Sequence, residues 1–137
     1  MPEVKEVMTG KVKLLHPGET VKEVAEKMKN FDIGFFPVVE NDQLKGAVTD
    51  RDIIIRAIAD GHNPNETKVS DVMTPNVTTV YTDQDVSDVA ELMKKNKIRR
   101  IVVLNKADNN VAGICSLGDI SAHDIAADTL KEVSKPG

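Results

Sequence analysis

Apolar positions in the first sixty residues follow two periods. Val21, Val24, Ala25 and Met28 recur at i, i+3, i+4 and i+7, which lines one face of a helix. Thr20, followed three residues later by Glu23, is a capping box that opens it. Before it, Lys11–Leu15 alternates and predicts a short strand with Val12 and Leu14 on one face. After it, the run Phe35–Val39 predicts a buried strand, Glu40–Gln43 a polar turn, and Leu44–Thr49 the returning strand of a hairpin. A second helix is expected from near Asp50 to about Asp60, with Gly61 as its stop.

The same pattern then occurs again. Val4-Lys5-Glu6-Val7-Met8-Thr9 returns as Val69-Ser70-Asp71-Val72-Met73-Thr74, and Val24-Ala25-Glu26 as Val89-Ala90-Glu91. Asp85 takes the N-cap place before Val86, Val89, Ala90 and Met93. Two extra residues enter the turn around Ala107–Asn110, after which Gly46 matches Gly113 and Asp52-Ile53 matches Asp119-Ile120. The chain is a duplication of strand, helix, strand, strand, helix, an α+β fold. The repeats span residues 4–62 and 69–126, with a polar linker at 63–68. The last helix runs from Ser116 past His123 to about Val133, so 127–137 is an extension and tail. One unit of roughly 55 residues buries too little apolar surface to be comfortably stable alone. Two are therefore expected to pack sheet to sheet with pseudo-two-fold symmetry, leaving clefts between them that suit a ligand.

Composition narrows the partners. With 3% aromatic residues the core must be built from Val, Ile, Leu, Met and Ala. A formal charge of -4 argues against nucleic acid, whose phosphates demand a basic stripe. The single cysteine, Cys115, forms no intramolecular disulfide and fits a reducing compartment. The start of the chain lacks the apolar run of a signal peptide, and no stretch has the apolar length of a membrane span. These features predict a cytoplasmic protein with no membrane partner.

Two places carry candidate chemistry. Gly46–Asp52 and Gly113–Asp119 each end a strand on a hydroxyl residue, Thr49 or Ser116, with an aspartate three positions later. A hydroxyl and free N–H groups at a helix start can bond a phosphate, and an aspartate one turn on can accept from a ribose diol. The same residues are equally good helix caps. The second place is Arg99-Arg100, which leads into a strand and can offer charge-assisted bonds to phosphate; a solvated positive turn is the alternative. The matching stretch of the first repeat, Asp32–Phe36, has no cation.

The Val-Met-Thr openings, the Pro37-Val38-Val39 strand, and Gly-apolar-apolar-Thr/Ser-x-x-Asp, all in one order and twice, resemble the CBS domain pair, or Bateman module, over residues 4 to about 126. The form Thr49–Ile53 is similar to that of small bacterial and archaeal CBS-pair proteins. The resemblance implies a non-catalytic regulatory module that senses AMP, ADP or ATP, or in some members S-adenosylmethionine or NADH, and needs no other cofactor. It implies one site joining Thr49 and Asp52 to Val77, Arg99, Arg100 and Ile101. In that site Asp52 would hold the ribose, Thr49 and Arg100 the phosphate, and the backbone near Val77 and Ile101 the base. It implies a second, weaker cleft joining Ser116 and Asp119 to Val12 and to Gly34, Phe35, Phe36 and Pro37. Val102 stands where the family often has the proline that Pro37 supplies in the first repeat. The resemblance also implies a disc-like homodimer.

Other classes fit less well. Ser116, Asp119 and His123 share one helical face, but seven residues, about 10 Å of rise, part the hydroxyl from the imidazole, too far for a triad. His16, His62, His123 and Cys115 show no metal-ligand spacing. A dimeric scaffold with empty clefts, docking an unknown protein, is the competing reading; it needs neither the paired Thr/Ser-x-x-Asp nor the arginines.

Overall fold

The computed structural model describes residues 2–124. After a 3-10 turn at Val4–Glu6, the elements in chain order begin with α1 (Val21–Phe31), β1 (Phe35–Glu40), β2 (Gln43–Thr49) and α2 (Asp50–Ile53). They continue with α3 (Val69–Val72), β3 (Thr74–Pro75), β4 (Thr79–Tyr81), α4 (Val86–Asn96), β5 (Arg100–Leu104) and β6 (Val111–Ser116). Residues 117–124 are helical and are labelled α5.

These elements gather into two compact units, and the units do not share the ends of the sequence repeats. One runs Val12–Val77; the other joins the first eleven residues to the chain from Thr78 onward. In the first, the sheet order is β1-β2-β3, and Leu15 adds a parallel bridge to β1 at Val38. In the second it is β4-β5-β6, and Thr9 bridges β6 at Ile114. Each sheet therefore takes one edge from the opening segment of the other repeat. The cores agree: Val69 and Val72 pack with Val24 and Phe36, whereas Val4 packs with Val89 and Ile101.

Helix starts follow the same exchange. Thr20 caps α1 by accepting from the Glu23 amide at 3.2 Å, and the Val21 amide donates to the Thr67 carbonyl at 2.8 Å. At α4 the Val86 amide donates to the Pro2 carbonyl at 2.9 Å, and Asp85, though placed as the N-cap, makes no side-chain cap bond. The β1–β2 turn is Asn41-Asp42, with φ of 54° and 63°, a left-handed pair suited to a two-residue hairpin.

Two expectations are corrected. Lys11–Leu15 is not a strand: Leu15, 1% exposed, is the buried position, while Leu14 is exposed. Its amide donates to the Pro37 carbonyl and its carbonyl accepts from the Val39 amide, so the true register sits one residue off the predicted face. The helix after Asp50 changes type, with Ile54–Ile58 winding as a π-helix in which the Ala59 amide reaches back to the Ile54 carbonyl at 2.8 Å. The tail at 127–137 lies outside the described residues.

The exchanged openings require glycine beneath them. A Cβ on Gly46 would stand 2.5 Å from the Thr74 carbonyl oxygen, and one on Gly113 would collide with the carbonyl oxygen of Thr9. Gly113→Ala is expected to destabilise the protein by about 1–3 kcal/mol, with a clear fall in thermal midpoint. Gly10→Ala, which meets nothing within 4 Å, should stay within about 0.5 kcal/mol of the parent in the same melts.

Cys115 is fully buried in the β6 core, and desolvation, aided by nearby Asp119, pushes its thiol up to about 11. The thiolate is therefore scarce at pH 8 in the folded state. Disulfide-exchange reagents at pH 8 should modify Cys115 far more slowly in buffer than in denaturant; equal rates would mean the strand is not closed over it.

Candidate functional site

Both hairpins deliver a hydroxyl residue to the start of a helix, and both close a reciprocal cap there. The Thr49 amide donates to Asp52 Oδ2 at 2.9 Å and the Asp52 amide to Thr49 Oγ1 at 3.2 Å. At the other site, the Ser116 amide donates to Asp119 Oδ2 and the Asp119 amide to Ser116 Oγ, each at 2.9 Å. The capping role is thus satisfied in both copies without a ligand.

The second carboxylate oxygen separates the copies. Asp52 Oδ1 accepts from Thr74 Oγ1 at 3.4 Å and lies 3.9 Å from Arg56 Nη1, with its side chain only 13% exposed. Arg56 is itself held by the carbonyls of Val72 and Met73, at 3.1 and 3.0 Å. In the second copy His123 occupies the position of Arg56, and among the described residues Asp119 Oδ1 takes no hydrogen bond.

The surroundings differ in charge. Arg100 is directly opposite Ser116 in the β5–β6 ladder, and the Leu117 amide donates to the Arg99 carbonyl at 2.8 Å. Both arginines are exposed, and among the described residues neither is in an ion pair. A cavity of about 450 Å³ is lined by Arg99, Arg100, Ser116, Leu117, Gly118 and Ser121. In the first copy the ladder sets Phe35 opposite Thr49, and the Asp50 amide donates to the Gly34 carbonyl at 3.1 Å. There the Asp50 carboxylate presses on Gly34, 3.0 Å from where a Cβ would sit.

The sequence reading joined Arg99 and Arg100 to Thr49 and Asp52, residues of the other unit. Within their own unit, Arg99 and Arg100 line one cavity with Ser116, whose amide donates to Asp119. Gly34 and Phe35 are neighbours of Thr49, in the other unit. Phe36 and Ile101 have side chains sealed in their cores, at 0% and 1% exposure, so those side chains line no open site; Pro37 is buried within β1. Val12 and Val77, half-buried, are the two ends of one unit. The sequence reading missed Gly118 and Ser121 as cavity lining and Arg56 as the group that engages Asp52. Only Arg56 had a local signal, its i,i+4 spacing from Asp52.

A triad is not assembled: Ser116 Oγ is occupied as a cap acceptor, and no hydrogen bond joins it to His123 among the described residues. Among those residues, no group of three or more His, Cys, Asp or Glu is placed to hold a metal ion, and no helix is long and apolar enough to cross a membrane.

Comparison with known proteins gives a consistent answer. The CBS domain family model matches residues 4–58 and again 69–125. CBS domain-containing protein YhcV of Bacillus subtilis is 36% identical over 126 residues, covering 92% of this chain and 88% of that one. The crystal structure of Hypoxic Response Protein I, which has two coordinated zinc ions, superposes with a TM-score of 0.79 at 27% identity, covering 90% of this chain and 99% of that one. That protein is from Mycobacterium tuberculosis. The hexameric CBS-CP12 protein of bloom-forming cyanobacteria superposes with a TM-score of 0.76 at 29% identity, covering 88% and 70%. With the ordered motifs, the duplicated hairpins and the family model in agreement over both halves, this chain belongs to the CBS domain family and carries a pair of such domains.

Proposed function

We propose that the protein is a regulatory, non-catalytic sensor that binds an adenine nucleotide at Arg99, Arg100, Ser116 and Asp119. The observation that carries this reading is the pair of exposed arginines that have no ion-pair partner among the described residues, set by the ladder beside a helix-start hydroxyl. Arginine meets phosphate oxygens with two parallel donors, and the open position of Asp119 Oδ1 suits a ribose hydroxyl. The adenine part rests on what membership of the CBS family implies. The Thr49–Asp52 site is the weaker of the two, because Asp50 stands near it and Arg56 already engages Asp52. One nucleotide per chain is the expected stoichiometry.

A second feature supports self-association. Ile54, Ile55 and Ile58 on the π-helical turn are 60%, 44% and 54% exposed, an apolar surface that a second copy would cover. The protein works as a homodimer through this face.

AMP, ADP or ATP at 100 times its dissociation constant should raise folding stability by about 2.7 kcal/mol in a thermal-shift assay. Arg100→Ala should weaken binding by about 1.5–3 kcal/mol, roughly ten- to a hundredfold, measured by calorimetry. Asp119→Ala should cost more affinity than Asp52→Ala. The absence of any shift with all three nucleotides would overturn the sensor reading in favour of a scaffold. For the dimer, Ile54→Lys with Ile58→Lys should halve the mass seen by light scattering, and an unchanged mass would rule this face out.

A further inference from the structure

The cations of the second repeat do not end at Arg100. A second cavity, of about 570 Å³, opens beside the first, and Arg99 and Leu117 line both. Its floor is apolar, from Ala90, Met93 and Ile98, and its rim carries Lys94 and Lys97 with a single acid, Glu91. The four cations across the two cavities have no salt-bridge partner among the described residues. Lysines at a helix C-terminus also answer the helix dipole, and Lys94 and Lys95 both stand in the last turn of α4. Of these two, Lys94 lines the cavity. The cap that follows is more telling. Lys97 and Asp32 hold the same left-handed position at the ends of α4 and α1, with φ of 55° and 53°. The backbone is shared and the charge is reversed, so the cation at 97 is not demanded by the turn.

Two guanidinium groups suffice for one phosphate dianion. Lys94 and Lys97 then remain as a separate positive rim, reached across the Arg99 wall. We propose that this rim is a second phosphate subsite, so that the site takes a nucleotide with more than one phosphate in preference to a monophosphate. The inference rests on the nucleotide reading above and adds the length of the phosphate chain to it.

Calorimetry with AMP, ADP and ATP on the full chain tests it. ATP should bind about tenfold more tightly than AMP, with a steeper loss of affinity as salt is raised. Lys94→Gln with Lys97→Gln should bring ATP to the affinity of AMP while leaving AMP within about twofold of the parent value. Equal affinities for AMP and ATP in the parent protein, or equal losses of both in the double variant, would overturn the subsite alone. No binding of any of the three would remove the nucleotide reading and the subsite together.

Discussion

Arg100 and Ser116 oppose each other in an antiparallel ladder, and the carbonyl of Arg99 accepts from the first amide of the helix that follows. Backbone bonds thereby fix which residue each arginine stem starts beside. The core enforces the register. Ile101, Val103 and Cys115 pack into one core from these two strands, and a slip of one residue would take that set off the core face. Holding the arginines beside the helix start and keeping the sheet closed are one and the same requirement.

Much of this was legible in the chain because the signals are local. Helix stripes at Val21–Met28 and Val86–Met93, the Asn41-Asp42 turn and the matched glycines all announce themselves within a few residues. The exchange of opening segments does not. Val4 and Val69 are visible as a repeat, but which sheet each completes is decided by tertiary pairing, and only Gly46 and Gly113 hint that another backbone passes close by. The strand expected at Lys11–Leu15 failed for a related reason: alternation names two faces without saying which is buried. The ladder neighbour of Arg100 was within reach of sequence reasoning. A hairpin that sets Phe35 opposite Thr49 must, in a faithful copy, set Arg100 opposite Ser116.

The two copies show why the Thr/Ser-x-x-Asp motif alone is a poor guide to ligand chemistry. In each, hydroxyl and carboxylate already satisfy the exposed amides of the helix start, so folding accounts for both residues. The information lies in the positions that diverge: Arg99 and Arg100 against Gly34 and Phe35, Leu117 against Asp50, and His123 against Arg56. Arg56 ties Asp52 to the exchanged opening segment through Thr74 and two carbonyls, which gives that carboxylate a structural duty.

Charge then separates the sites further. A carboxylate about 4 Å from an incoming phosphate opposes it by about 1 kcal/mol per pair of unit charges in water and about 4 kcal/mol near a protein surface. Asp50 supplies that repulsion beside Thr49, where Arg99 and Arg100 supply attraction beside Ser116. The difference spans both signs, so it exceeds what either set of residues would produce alone. Duplication fixed a common backbone, and a handful of substitutions around it gave one copy two arginines beside its helix start and the other an aspartate.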